Sequence, residues 1–386
     1  MKKITPLSLL LLGMLTASGV RANPAYSHVV VVVEENHGFN EIIGGSNAVI
    51  APYINNTLAT GGVVLTNAYG EQHPSQPNYD WLFSGGNQGI SNDTPPSSPI
   101  YTAPNLYTEL QTQFANTPQS NNFFGGFVDA WPGATNAYAP NSDNVAYVNY
   151  AQRHVPWLGF SNVNGGNPAA ITKDFGANFP SAAAGFSNLP ALSMIIPALN
   201  NDMHDYQSTT NRGSNAVSNP SNSAIAVHNG DTWLSNNLSA YASWAKSNNS
   251  LLIVTWDEDS SSDWATNAAQ LNKDGLTAPN LGYNTNNSNG SGSNQIAMIF
   301  YGANLATNGL SGADGVNSNG VNNLNLYDTI QSFYGLSNYG TQSDLSINAG
   351  LVSAPITNIF SVPEPSVYAL IGVGVLLMAG VLRVKV

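Results

Sequence analysis

The chain has 386 residues, 10 Lys and Arg against 22 Asp and Glu, six His and no Cys. Half of the basic residues (Lys2, Lys3, Arg21, Arg383 and Lys385) but only one acidic residue, Glu364, lie in the two ends. The stretch between them carries 5 basic and 21 acidic side chains, which argues against nucleic acid as a partner because phosphate backbones need cationic footing. Without Cys there are neither disulfides nor thiolate metal ligands.

In chain order, Lys2 and Lys3 precede an apolar run, Leu7 to Leu15, and the small residues Val20 and Ala22 flank Arg21. This predicts a secretory signal peptide over 1–22, removed by signal peptidase. His28 to Val33 is a β-branched run that ends at Glu34-Glu35-Asn36. Leu251 to Trp256 ends at Asp257-Glu258-Asp259, Ile296 to Tyr301 ends at Gly302, and Leu192 to Ile196 ends at Pro197. Continuous apolar runs of this length fit strands buried on both faces of a parallel sheet. Helical patterns lie at 51–60, 105–112, 232–247 and 324–334. The alternation predicts an α/β fold with a mostly parallel central sheet, helices on both faces and long polar loops, notably 85–98, 208–223 and 284–294. No internal repeat is present, so residues 23–361 read as one catalytic domain.

The tail has its own pattern. Val362-Pro363-Glu364-Pro365 precedes a 16-residue apolar stretch, Val367 to Leu382, and a basic end. That is slightly short of the ~20 residues of a spanning helix, and reads as a membrane anchor. The order also resembles the PEP-CTERM sorting signal of Gram-negative bacteria, which implies recognition by an exosortase, export, and a cell-surface or extracellular protein after processing of 362–386. Unprocessed, the chain would stay membrane-anchored.

In open α/β sheets ligands sit beyond the carboxyl ends of the strands, and two strands here end in acidic clusters. Carboxylates brought together repel unless a positive centre neutralises them, and a divalent cation is the natural candidate. Between them lie His73-Pro74-Ser75-Gln76-Pro77-Asn78-Tyr79 and Asn201-Asp202-Met203-His204-Asp205. Singly, each segment reads as a turn or a helix cap. Together they supply a hydroxyl nucleophile, imidazoles and oxygen ligands, the parts that phosphate-ester hydrolysis needs.

The run Val29–Phe39 with Glu34-Glu35-Asn36-His37, the Ser75 segment through Leu82-Phe83-Ser84-Gly85, the block 201–205, Gly230-Asp231-Thr232-Trp233-Leu234, and Thr255-Trp256-Asp257-Glu258 resemble, in order, the blocks of the bacterial phosphoesterase family that includes acid phosphatases and non-specific phospholipases C. The resemblance implies an alkaline-phosphatase-like fold and hydrolysis of phosphate monoesters through a phosphoseryl intermediate on Ser75. It implies that His73 and His204 flank the phosphoryl group and that Asn36 and Asn78 contact substrate. It further implies that Glu35, Asn36, Asp257, Glu258 and Asp205 hold a divalent metal ion. Family members often carry histidines where this chain has Gln295 and Asn323, which favours one metal held mainly by oxygen over two. A phospholipase C would need an apolar mouth, for which Trp131, Trp157 and Trp264 are candidates. A third reading is a non-catalytic surface or exopolysaccharide-matrix protein; the intact Ser75 and Asp257-Glu258 weigh against it.

Overall fold

A computed structural model describes residues 23–44, 47–138, 149–204, 220–260, 294–306, 309–311, 320–336 and 354–361. Both ends, with the expected signal peptide and sorting segment, lie outside the described residues, as do Asp205 and Trp264. Among the described residues no helix is long and apolar enough to cross a membrane.

The five consecutive valines of β1 (His28–Glu34) favour an extended chain, because branching at Cβ restricts the side chain least there. Val29 to Val33 are all buried, and since alternate residues face opposite sides, both faces of the sheet are covered. β1 is central, with β5 (Leu192–Ile196) and β6 (Ser250–Trp256) parallel on either side. The remaining strands are β2 (Val63–Tyr69), β3 (Phe124–Val128), β4 (Thr172–Asp174), β7 (Gln295–Gly302), β8 (Gly309–Ser311) and β9 (Val321–Asn322). The sheet order is β4-β3-β5-β1-β6-β7-β2-β8, with β9 also paired to β2.

The third apolar run departs from the expected parallel arrangement: β7 is antiparallel to both β6 and β2. Its run is as apolar as the others because burial on both faces, rather than strand direction, sets that pattern. Since β7 is antiparallel to both neighbours, β2 points the same way as β1 and β6. The carboxyl ends of β1, β2 and β6 and the amino end of β7 therefore share one edge.

Four longer helices complete the layers: α1 (Gln76–Ser84), α2 (Leu106–Phe114), α3 (Pro220–Ala245) and α4 (Asn323–Phe333). α3 begins well before the expected 232, and 51–60 contains a π-turn, Ile54–Leu58, followed by Ala59–Gly61. Asp231 of α3 explains how that segment is held. Its carboxylate accepts the Tyr53 and Ile54 amides at 3.0 and 2.7 Å, two donors that helix starts leave unsatisfied.

β3 reads Phe-Gly-Gly-Phe-Val, a weak strand by propensity. A Cβ on Gly126 would come within 2.5 Å of the Trp157 ring, so the glycine gives that indole its place in the core. Trp157 is fully buried and donates to Thr172 Oγ1 at 2.9 Å. It is therefore unavailable for an apolar mouth, and Trp131 is packed edge-on against Tyr150.

Candidate active site

The shared edge collects the polar segments. The β1–β6 register pairs Glu34 with Trp256, so Glu35 and Asp257 leave the sheet side by side, and the Asp257 amide donates to Glu34 O at 3.1 Å. β2 ends at Tyr69 and leads through Gly70 and Glu71 to Ser75, which stands at the N-cap position of α1 without a side-chain capping bond. Gly70 has to be glycine: a Cβ there would lie 2.5 Å from Asp257 O and 2.9 Å from the Asn294 side chain. Asn36 and Asn294 both take left-handed backbone (φ 51° and 45°), which Asn tolerates better than most residues.

Ser75 is 4% exposed, and its hydroxyl lies 3.1 Å from Glu35 Oε2 and 3.0 Å from Glu258 Oε1. Having one proton, it donates to one carboxylate at a time. Asn36 Nδ2 donates to Glu35 Oε2 at 2.6 Å and reaches Ser75 Oγ at 3.3 Å, while its backbone amide donates to Asp257 Oδ1 at 3.1 Å. Burial raises the carboxyls of Glu35, Asp257 and Glu258, and negative neighbours add to it: Glu258 for Glu35, Glu35 and Glu258 for Asp257, Asp93 for Glu258.

His73 lies between two of these acids, with Nδ1 2.8 Å from Glu258 Oε2 and Nε2 3.0 Å from Asp259 Oδ1. Burial alone would lower its pKa; the Glu258 and Asp259 charges outweigh that and push it up to about 10. His73 is therefore held as a cation at neutral pH. Asn78 sits under the nucleophile turn. Its Oδ1 accepts the Glu71 and Gln72 amides at 3.1 and 2.9 Å, its Nδ2 donates to Gln72 O at 2.8 Å, and Glu258 Oε2 is 3.5 Å away.

His204 is lowered by burial; the Glu35 charge opposes this and the Arg153 charge adds to it. Its backbone amide donates to Asp202 Oδ1 at 3.0 Å, and the Glu35 amide donates to Asp202 O at 2.7 Å, so the loop after β5 is tied to the end of β1. The two positions where the resemblance expects histidines are occupied by strand and helix ties. Gln295 donates to Thr66 O at 2.7 Å, and Asn323 donates to Glu71 Oε2 at 3.0 Å.

Sequence reasoning missed His154, Asp93 and Arg153, and named Asp259 in the acidic run without giving it a role. His154 Nε2 is 3.1 Å from Glu35 Oε1, and its ring stacks on Tyr79 at 5.0 Å with planes 7° apart. The Tyr79 hydroxyl donates to the same Glu35 oxygen at 2.7 Å. Burial, and then the Arg153 and His204 charges, hold His154 well below the usual range, so it is neutral. Asp93 Oδ1 accepts the Gln76 amide at 3.0 Å, and its Oδ2 lies 3.8 Å from Arg153 Nε. The signal that was present was the adjacent pair Arg153-His154, scarce residue types in this chain.

Among the described residues no three His, Asp or Glu side chains converge as a ready metal-ligand set. The donor chemistry nevertheless suits a hard divalent cation: Glu35, Asp257, Glu258 and Asn36 offer oxygens, and Asp257 Oδ2 is buried with no hydrogen-bond partner.

The strand ends of this mostly parallel sheet gather a buried serine between two carboxylates, and the family and relatives it matches make the protein a hydrolase acting on phosphoric esters. The chain belongs to the phosphoesterase family, whose sequence profile matches residues 50–313. It is 34% identical over 339 residues to a phosphatidylinositol-3-phosphatase of Mycobacterium tuberculosis, spanning 88% of this chain and 84% of that one. It is 27% identical over 172 residues to an acid phosphatase of Aspergillus fumigatus, spanning 38% and 31%. Among solved structures, the lipoteichoic acid synthase LtaP of Listeria monocytogenes shares the fold (TM-score 0.50, 11% identity, 87% and 79% covered). The α/β class expected from the sequence, with a mostly parallel central sheet, stands.

Proposed function

We propose that the protein is an exported, metal-dependent phosphomonoesterase of acid-phosphatase type that works through a phosphoserine at Ser75. The observation that carries this is the Ser75 hydroxyl held at 3.1 and 3.0 Å between Glu35 and Glu258 at the strand-end edge. Either carboxylate takes the hydroxyl proton as Oγ attacks phosphorus. The P–O bond to the alcohol breaks, and the departing oxygen receives a proton from His204 in its imidazolium form, assigned because both His73 nitrogens are occupied by carboxylates; burial lowers His204, so this form is favoured by acidic pH. Water then attacks the phosphoserine and gives a proton to His204 as the Oγ–P bond breaks, the carboxylic acid returns its proton to Oγ, and inorganic phosphate leaves. Asn36 Nδ2, 3.3 Å from Oγ, is the side-chain donor placed to meet a phosphoryl oxygen. Asn78 acts through the turn it holds. A divalent cation held by Asp257, Glu35, Glu258 and Asn36 would supply positive charge against the phosphoryl oxygens.

The test is hydrolysis of p-nitrophenyl phosphate, a phosphocholine ester and phosphatidylinositol 3-phosphate, with Ser75→Ala and EDTA as controls. The lipid monoester is included because of the mycobacterial relative's name. Ser75→Ala is expected to lower turnover at least about 10³-fold. Acid-quenched enzyme should carry phosphate on Ser75 by peptide mass spectrometry. Turnover surviving both controls, or faster cleavage of the diester than of both monoesters, would sink the reading. Export and removal of 1–22 and 362–386 are read from the intact mass of the protein recovered from its own cells.

A further inference from the structure

Two charged side chains stand beside the nucleophile without a part in the reaction as written. Asp93 comes from the segment 86–104, and its carboxylate spans two donors: the amide of Gln76, the residue after Ser75, and the guanidinium of Arg153. Amides in the first turn of a helix lack intrahelical acceptors and suit anions. The Arg153 side chain is 14% exposed, and its Nε is buried with no hydrogen bond, since 3.8 Å to Asp93 is an ion-pair distance only. Both groups lie within electrostatic reach of the reacting centre. The Arg153 charge lowers Glu35, His154 and His204, while the Asp93 charge raises Glu258 and His204. Among the described residues the other Lys and Arg side chains are elsewhere, Lys173 over the Phe127 ring and Lys246 over Tyr301.

A carboxylate on a helix-start amide and a guanidinium occupies donors that equally suit phosphate oxygens. The Asp93 side chain is 38% exposed, and an ion pair so close to solvent is weak enough to exchange. We propose that Asp93 is a resident anion on the Gln76 amide and Arg153, that the phosphoryl oxygens of the substrate displace it, and that the pair thereby sets specificity. The proposal rests on the Ser75 reading. A monoester dianion, with its greater charge and extra non-bridging oxygen, displaces Asp93 better than a diester monoanion does. Asp93 therefore biases the site towards monoesters, and Arg153, once released, clamps the phosphoryl group.

The experiment compares wild type with Asp93→Asn, Arg153→Gln and the double variant. It reads inorganic phosphate affinity by calorimetric titration, which needs no turnover, alongside KM and kcat for p-nitrophenyl phosphate. Asp93→Asn keeps an oxygen for the Gln76 amide and removes only the charge. It is expected to bind phosphate about fivefold more tightly and to lower KM by a similar factor. Arg153→Gln is expected to weaken phosphate binding about tenfold or more, and the double variant to lose the gain of Asp93→Asn. Arg153→Lys, which keeps the charge but not the fork, should fall between wild type and Arg153→Gln. If Asp93 is only a helix cap, Asp93→Asn will melt at a lower temperature with unchanged phosphate affinity. Unchanged or weaker binding overturns the proposal, even in an enzyme whose turnover still depends on Ser75. An inactive wild type would instead count against the Ser75 reading.

Discussion

Glu258 and Glu35 hold the same hydroxyl at 3.0 and 3.1 Å, yet their surroundings differ. Glu258 is paired with the His73 imidazolium, which a second acid, Asp259, clamps from its other nitrogen. Glu35 accepts from two neutral donors, the Tyr79 hydroxyl and the Asn36 amide, with the neutral ring of His154 3.1 Å away but not hydrogen-bonded and the Arg153 charge also favouring its ionised form. A cation favours the charged carboxylate through a full Coulomb interaction; neutral dipoles favour it less. In the protein as described, Glu258 is thus the better-supported carboxylate and the stronger candidate to take the Ser75 proton. Burial pushes up both carboxyls; the His73 charge opposes this at Glu258, and the His204 and Arg153 charges oppose it at Glu35.

Removing the cation should break this contrast most severely. His73→Ala strands Glu258 and Asp259 as buried, unpaired acids, so stability at pH 7 should fall by about 3–5 kcal/mol. Turnover should fall about 100-fold or more. Urea unfolding and p-nitrophenyl phosphate kinetics measure both. A variant within about 1 kcal/mol of wild type would mean that His73 is not what neutralises this flank.

Much of this arrangement was legible from sequence, for identifiable reasons. β1, β5, β6 and β7 announced themselves because strands buried on both faces must be continuously apolar, and acids at the ends of β1 and β6 marked the functional edge. β2 did not, since Thr66 and Asn67 interrupt its run, nor did β3, whose Gly126 makes room for Trp157 and whose Gly125 lies against Phe127 and Pro190. All nine residues of α1 are buried, so that helix shows no polar face and no helical period. His154, Arg153 and Asp93 come from a stretch of short 3₁₀ turns and loops, where neither period nor capping pattern shows which side chain turns inward. Contacts made across such a stretch are fixed by the fold and leave no local trace.

Glu71 extends the neutral-donor side of the comparison. Among the described residues no cation accompanies it; it accepts the Leu324 amide at 2.8 Å and the Asn323 side chain at 3.0 Å, at the start of α4. Burial nevertheless wins and pushes its carboxyl up to about 8 from 4.5. Between those values the folded protein holds a proton that the unfolded chain has released. Its contribution to stability is therefore full below pH 4.5 and falls as pH rises to about 8. Glu71→Gln should flatten the pH dependence of stability, by about 2 kcal/mol between about pH 5.5 and 7. Paired urea titrations of variant and wild type across that range check it. Equal slopes would show that the helix start neutralises Glu71 as well as a cation would.

The smallest change asks most directly whether Glu35 is charged. Tyr79→Phe keeps the ring that stacks on His154 and deletes only the hydroxyl bonded to Glu35 Oε1. A hydrogen bond to a neutral carboxyl contributes about 1 kcal/mol, and one to a carboxylate about 1.5–3 kcal/mol. The expected loss is about 1 kcal/mol at pH 6, with turnover down about tenfold as Glu35 loses its alignment on Ser75. A loss of about 3 kcal/mol would show Glu35 ionised like Glu258. The neutral donors would then suffice to hold the charge, and the two flanks of Ser75 would be interchangeable as proton acceptors. His154→Gln separates alignment from charge on the same flank. A glutamine amide can donate to Glu35 from the place of the ring, so it should retain more turnover than His154→Ala if His154 acts by orienting that carboxylate.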